Sequence, residues 1–252
     1  MKRLLAIVFV LAALGARAQE IETSTIVVPI VGNIPGIGVR WVTSLELRNN
    51  TGAPVEVWML LPTTADAPAF NRTLGPNETV VMSDVIAQAF GTTTALSPLK
   101  VITTGRHSVT VRANVYPVRA DGQVLAAEPI AVDDRPSIYP VRSLPGLAFS
   151  DDFRTNIGLV NLSEDKSATF VLALQRLAGR NVAVSRITLP PESLSHTSIQ
   201  SLFPLITSGN DFTIVVETAS PDTFVYASVI DNNTTAARFI RPNVGVPVDV
   251  TP

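Results

Sequence analysis

Two histidines are the side chains of this chain best suited to proton transfer near neutral pH. A hydrolase would need His107 or His196 beside a nucleophilic serine, with an acid to orient the imidazole. Ser195 directly precedes His196, but neighbouring residues on a strand point to opposite faces. The Gly-x-Ser-x-Gly pattern of a nucleophile elbow does not occur. We therefore expect both histidines to be structural or exposed, and a hydrolase that uses a serine and His196 is the less favoured alternative.

Metal-binding patterns are also missing from the sequence. The chain contains no cysteine, and its histidines follow neither His-x-x-x-His nor His-Glu-x-x-His spacing. Loop oxygens of the kind that calcium prefers occur at 133–134, 151–152 and 231–233. Acidic and amide residues in loops more often form turns, so a calcium site is the alternative. The sequence predicts no catalytic residue, no cofactor and no metal site.

Aromatic side chains are few, at 6% of the residues. A carbohydrate-binding module would present a row of them to solvent on one sheet. The available large rings are Trp41, Trp58, Tyr116, Tyr139 and Tyr226. Trp58 and Tyr226 lie inside apolar stretches, which predicts that they belong to the core. A broad platform for sugars is therefore not expected.

The elements that would position these residues occur in two copies. Residues 41–51 are echoed by 153–163, with an offset of about 112 positions. Both stretches alternate apolar residues with small or polar ones, which predicts a strand with one buried face. An asparagine ends each strand because it accepts turn geometry and bonds its own backbone. The matched pairs are Thr43 with Thr155, Leu45 with Ile157, Leu47 with Leu159 and Asn49 with Asn161.

Short strands separated by turn signals fill most of each copy, which is typical of an all-β sandwich. Residues 26–31 are predicted as the first strand, at a sheet edge because of Pro29. Pro-Gly pairs at 35–36 and 145–146 predict turns. Residues 83–90 and 196–203 have apolar side chains three to four apart and predict one short helix per copy.

The second copy resembles an immunoglobulin-like sandwich repeat of exported bacterial proteins. The resemblance rests on Phe-Arg-Thr-Asn-Ile-Gly-Leu-Val-Asn at 153–161, Thr-Leu-Pro-Pro at 188–191 and Tyr-Ala-Ser-Val-Ile-Asp-Asn at 226–232. Such repeats often have a Thr-Gly-Asp-Pro turn after the Asp-Asn pair, whereas this chain has Thr-Thr-Ala-Ala at 234–237. The resemblance implies a fold and carries no catalytic residues.

The fold class expected from these patterns is all-β. We expect two tandem antiparallel immunoglobulin-like β-sandwiches, each with one short helix, after an N-terminal signal peptide. The predicted boundaries are 1–18 for the signal peptide, 19–134 for the first repeat and 135–252 for the second.

The first eighteen residues have the pattern of an export signal. Lys2 and Arg3 precede an apolar run at 4–14, and Ala-Arg-Ala at 16–18 is a small-x-small cleavage site. The run is too short for a membrane span, which needs about 20 residues. We expect cleavage after Ala18 and an extracytoplasmic location, whether periplasmic, cell-surface or secreted. No membrane-spanning segment is expected in the mature chain.

The net charge of the chain and the distribution of its basic residues indicate which classes of partner it can bind. The formal net charge is −2 and basic residues are scattered, which argues against a nucleic-acid partner. The expected function is that of an exported, non-enzymatic module for binding or surface assembly, with another protein or an envelope polysaccharide as partner. A carbohydrate-binding module is the first alternative. The oligomeric state does not follow from the sequence.

Overall fold

The computed structural model describes residues 22–64, 68–132, 140–176 and 180–244. Within these ranges the chain forms antiparallel β-sheets and two short helices, which confirms the predicted all-β class. The predicted signal peptide, the predicted boundary between the repeats, the first acidic pair and Tyr139 lie outside the described residues. Below, the first half of the molecule ends before that boundary and the second half begins after it.

The first half forms one extended sheet. Its elements are β1 (Thr23–Pro35), β2 (Val39–Asn49), β3 (Val55–Leu60), β4 (Phe70–Leu74), β5 (Thr79–Met82), α1 (Val85–Phe90), β6 (Ala95–Thr104), β7 (Val109–Arg119) and β8 (Glu128–Ile130). The strand order is β4-β3-β6-β1-β2-β7-β8. Strand β5 pairs with residues 45–48 of β2.

The second half forms two sheets. Its elements are β9 (Val141–Phe149), β10 (Phe153–Asn161), β11 (Ala168–Gln175), β12 (Asn181–Leu189), β13 (Ser193–Ser198), α2 (Ile199–Leu202), β14 (Gly209–Glu217), β15 (Thr223–Asp231), β16 (Ala237–Ile240) and β17 (Asn243–Val244). One sheet has the order β13-β10-β15-β16 and the other has the order β12-β11-β14-β9-β17.

The strand order of the second half repeats that of the first. The series β12-β11-β14-β9 corresponds to β4-β3-β6-β1, and β13-β10-β15-β16 corresponds to β5-β2-β7-β8. The halves differ at one junction, because the end of β1 also pairs with β2, through Asn33 opposite Val42. That pairing joins the two layers of the first half into a single sheet. The architecture of both halves is sandwich-like.

Residues matched by the sequence offset occupy the same register positions. Leu45 of β2 lies opposite Ala113 of β7, and Ile157 of β10 lies opposite Ala227 of β15. All four side chains are buried in the apolar core of their own half. Each fully buried large side chain stabilises the fold by about 1.5–3 kcal/mol. The alternating pattern thus predicted correctly which face of each strand is buried.

Strand β1 departs from its prediction. It lies between β6 and β2 rather than at a sheet edge. Its register with β6 shifts between Val28 and Val31, so Pro29 lies in a β-bulge, where its missing N–H breaks no regular ladder. The Pro-Gly pair at 145–146 is also not a simple turn. It lies inside β9, where the register with β14 is irregular and Gly146 has φ +68°.

The two helices are shorter than predicted. The Asp84 side chain caps α1 by accepting from the Ala87 N–H at 3.0 Å. Among the described residues of the second half, only Ile199–Leu202 is helical. The predicted helical start at His196 is wrong because that residue pairs within β13. Within the described ranges, no helix combines the length and apolar character that crossing a membrane requires.

A buried asparagine ends the second strand of each half. The side-chain nitrogen of Asn161 donates to the carbonyl oxygens of Lys166, Leu189 and Pro190, at 2.8, 3.3 and 2.8 Å. Asn49 does the same with Ala53, Leu74 and Gly75, at 2.7, 3.2 and 2.8 Å. Each side-chain oxygen accepts from the N–H two residues ahead, as predicted for a turn-forming asparagine. Both asparagines are buried, so these hydrogen bonds are shielded from water.

Candidate functional site

The outer face of the β13-β10-β15-β16 sheet is covered by the first half of the molecule. Val160 of β10 and Phe224 of β15 point away from the core of the second half and are buried. They form a separate apolar cluster with Val27 of β1. A polar contact joins the halves nearby, where the Phe239 N–H donates to a Glu128 carboxylate oxygen at 2.9 Å. An outer sheet face, which commonly meets water, is here an internal surface.

Gly158 creates the space for a large ring on this face. It lies in β10 between His196 of β13 and Tyr226 of β15. A Cβ atom on Gly158 would be 1.9 Å from Cζ of Tyr226, so the ring lies directly across the glycine. A glycine in a strand interior often marks such a close approach. Tyr226 is therefore only 1% exposed.

Three rings are stacked along the sheet. The Tyr226 ring is 5.9 Å from that of His196, with 26° between their planes, and 5.2 Å from that of Phe239, with 16°. The Tyr226 hydroxyl oxygen is 3.1 Å from Nδ1 of His196. These three residues are called the ring stack below.

Burial keeps the His196–Tyr226 pair neutral. It lowers the pKa of His196 to about 4 and raises the pKa of Tyr226 well above its usual value. Among the described residues the Tyr226 hydroxyl has only Nδ1 of His196 as a partner. The buried hydroxyl proton is satisfied when Tyr226 donates to Nδ1, which leaves the imidazole proton on Nε2.

A cavity of about 240 Å³ lies against the ring stack, between the two halves. Ile30, Ile34 and Trp41 contribute its wall from the first half. Tyr226 and Phe239 contribute rings from the second half. Most of the surface is apolar, as expected for a site that holds a small ligand.

Polar groups occupy one side of the cavity. Asn156 and Ser228 lie directly opposite each other on β10 and β15, and both are half-buried. Neither side chain has a hydrogen-bond partner among the described residues. Arg154 lies two positions before Asn156 on the same strand face, and its guanidinium donates to the Asn232 side-chain oxygen. Burial lowers the pKa of Arg154.

The corresponding face of the first half is built differently. Glu46 lies at the place of Gly158, between Val81 and Arg112. Arg112 and Glu46 form an exposed ion pair at 3.4 Å, and Val81 is 66% exposed. The same row of sheet positions is thus solvated in one half and buried in the other.

The sequence-derived candidates are not brought together as a hydrolase would require. His107 lies exposed in the turn between β6 and β7 with φ +55°, whereas His196 lies within β13. Among the described residues, His196 is hydrogen-bonded to Tyr226 and to no serine. The hydroxyl of Ser193 donates to the Pro190 carbonyl.

The acidic loops serve local structure where the chain is described. The Asp231 carboxylate accepts from the N–H groups of Asn233 and Thr234, and these bonds lower its pKa. The Asp152 carboxylate accepts from the Asn233 side chain at 3.1 Å. No group of three or more potential ligands for a metal ion occurs within the described part of the chain.

Two of the aromatic predictions need correction. Trp58 alternates with the buried Val57 and Met59, so it faces outward and is only half-buried. Tyr226 is buried as predicted, but it lies between the halves rather than in the sandwich core. Period-two alternation explains both outcomes, because residues that flank core positions must face the other side of the sheet.

Asn156, Ser228, Arg154 and Phe239 were missed as site residues. The available signal was Gly158, a glycine inside an otherwise regular strand pattern. No protein-family model matches the chain, and no curated protein or solved structure is significantly similar to it. The immunoglobulin-like character of the repeats stays a prediction.

Proposed function

We propose that the protein is an exported, non-enzymatic binding module that holds a small ligand in the cavity between its halves. The observation that carries this proposal is the cavity itself, which has apolar walls beside the half-buried Asn156 and Ser228. Both side chains reach water and have no hydrogen-bond partners among the described residues. A ligand that fills the cavity would supply them.

The proposed architecture is two tandem immunoglobulin-like sandwiches, 19–134 and 135–252. The repeated strand order and the shared register of the matched residues support a duplication. The export signal at 1–18 supports a place outside the cytoplasm.

The rival functions receive less support. A carbohydrate-binding module would need rings on an open face, whereas the ring stack is enclosed between the halves. A hydrolase would need a serine and an acid at His196, whose partner is Tyr226. Another protein or an envelope polysaccharide would have to bind elsewhere on the surface.

Binding of an uncharged, environment-sensitive dye tests the proposal. Prodan, an uncharged naphthalene dye, should become strongly fluorescent with the mature chain, because the cavity excludes water from its two rings. The variant Ser228→Phe fills the polar side of the cavity and should abolish most of this emission.

Asn114→Phe is the matched control. Asn114 occupies the register position of Ser228 in the first half, opposite Ser44, and does not line the cavity. This variant should bind the dye as the wild type does. Absence of dye binding to the folded protein, or equal loss in both variants, would contradict the proposed site.

A further inference from the structure

The charged side chains that line the cavity are of one sign, among the described residues. Arg154 is the one permanently charged side chain among the described residues that line it, and no aspartate or glutamate lines it there. The guanidinium donates to Asn232, whose amide oxygen is neutral. No carboxylate of the described residues lies within ion-pair distance of Arg154. The cavity therefore has a partly buried positive charge that the described protein does not neutralise.

Further hydrogen-bonding groups lie next to this charge. Asn156 follows Arg154 on the same face of β10, roughly 7 Å along the strand. Ser228 lies directly opposite Asn156, and such facing Cβ atoms are about 4.5–5.5 Å apart. The guanidinium, an amide and a hydroxyl thus lie along one side of the cavity. Carboxylate oxygens accept hydrogen bonds from all three types of group.

Aromatic side chains form much of the apolar part of the cavity. Tyr226 lies across Gly158, and Phe239 stacks on it with only 16° between the ring planes. Trp41 and Ile34 face them from the first half. Aromatic side chains in a cavity wall favour a planar ring, which can stack on them with offset geometry. The volume of about 240 Å³ is below the roughly 300–1,000 Å³ of pockets for drug-sized ligands, which limits the ligand to one or two rings.

We infer that the cavity binds a small aromatic carboxylate, with its ring against Phe239 and its carboxylate at Arg154. This inference rests on the proposed function, because it names the ligand class of the same site. A bidentate carboxylate would neutralise the guanidinium and also satisfy Asn156 or Ser228. An ammonium ligand would meet the positive charge unfavourably, and a neutral ligand would leave it uncompensated.

Three ligands of one shape test the inference by calorimetry on the full mature chain. Naphthoate, naphthalenemethanol and naphthylmethylammonium share their rings and differ in charge. A hydrogen bond to a charged group is worth about 1.5–3 kcal/mol, so naphthoate should bind at least about tenfold more tightly than the alcohol. The ammonium compound should bind more weakly than both.

Two arginine variants test whether Arg154 causes the tighter binding of naphthoate. Arg154→Gln should reduce the advantage of naphthoate over the alcohol to about twofold or less, with alcohol binding unchanged. Arg238→Gln is the matched control, because Arg238 is exposed, bonds the Gly146 carbonyl and does not line the cavity. It should retain the full preference. The wild-type ligand series remains decisive if Arg154→Gln does not fold.

The outcomes separate the two proposals. Equal binding of the carboxylate and the alcohol, or tighter binding of the ammonium compound, would overturn the ligand class. The dye result would still stand for the site in that case. An unchanged carboxylate preference in Arg154→Gln would also overturn the assignment of Arg154. Failure of both the dye and all three ligands to bind would overturn both proposals.

Discussion

At the end of β10, one buried side-chain amide holds three segments of backbone together. Asn161 bonds the turn that follows its strand and also the end of β12. Asn49 makes the equivalent bonds in the first half. Backbone carbonyl groups at strand ends need partners when they are shielded from water. These asparagines supply the partners that the regular ladders lack.

Asn161→Ala should lower the free energy of unfolding by about 3 kcal/mol, because it leaves buried carbonyl oxygens without donors. Denaturant-induced unfolding measures this change. Asn50→Ala is the control, since Asn50 is exposed and its side chain bonds only Thr110 among the described residues. Exposed substitutions of this kind change stability by about 0.5 kcal/mol or less. Equal effects of the two variants would contradict the role given to Asn161.

His196 makes stability depend on pH. Burial lowers its pKa to about 4 in the folded protein, whereas an unfolded histidine has a pKa of about 6.5. The unfolded chain therefore takes up this proton first. The stability due to the neutral ring is complete above about pH 6.5 and decreases as the pH falls towards about 4, by up to about 3 kcal/mol.

Unfolding free energies of the wild type and His196→Gln, measured at about pH 7 and about pH 4, isolate this effect from the carboxylates that also titrate. Glutamine stays neutral and can still accept a hydrogen bond from Tyr226. The wild type should lose more stability than the variant on acidification. The same loss in both proteins would show that the His196 proton is not excluded by folding.

At the scale of elements, a row of positions across one sheet differs between the halves. The row holds Glu46 and Arg112 in the first half and Gly158 and Tyr226 in the second. The charged pair suits a solvated face. The glycine and the ring suit a face that is closed by another surface. The matched strands of the two halves thus share their core-facing residues, whereas their outward residues suit a solvated face in one half and a covered face in the other.

Gly158→Ala should push the Tyr226 ring off β10, because its Cβ would lie 1.9 Å from Cζ. Overpacking of this kind costs about 1–3 kcal/mol. The pKa of His196, followed by NMR, should rise from about 4 towards its ordinary value as the ring stack opens. Gly52→Ala is the control, since a Cβ there meets no atom within 4 Å. An unchanged His196 pKa in Gly158→Ala would contradict this packing.

The inner faces of the sheets were predictable from sequence, whereas the outer site was not. Leu45 and Ile157 follow a strict alternation, and burial between two layers is the one outcome that this pattern allows. The outward residues of β10, Arg154 and Asn156, have the ordinary polarity of a solvated face. Their burial depends on contact with β1, more than 100 positions away. Local patterns do not say which surface covers these residues, although Gly158 and the outward apolar Val160 and Phe224 depart from the pattern of a solvated face.

At the scale of the whole molecule, the site depends on both halves. The walls contributed by Trp41 and by Tyr226 come from different halves, so neither half alone encloses the cavity. Further contacts between the halves include Lys100 with Glu192 at 3.9 Å. This ion pair is partly exposed and contributes little, so the apolar clusters around Val27 and around Trp41 contribute more to the association.

The export proposal concerns the whole chain as well. Mass spectrometry of the protein from its native host should give an N-terminus at Gln19, because cleavage follows Ala18. Lys2→Glu with Arg3→Glu should retain the precursor, since the positive charge before the apolar run is removed. Recovery of mature protein that still begins at Met1 would contradict export by this signal.

The bulge in β1 makes the cavity depend on backbone register as well as on side-chain identity. Before the bulge Val28 faces the core of the first half, and after it Val31 does. The extra residue at Pro29 therefore lets Ile30 and Ile34 reach the cavity. Loss of the extra residue itself would leave a regular ladder in which Val31 still faces the core and Ile30 and Ile34 still face the cavity. A change that straightened the bulge without shortening the strand would instead turn Ile30 and Ile34 towards the core and empty one wall of the cavity.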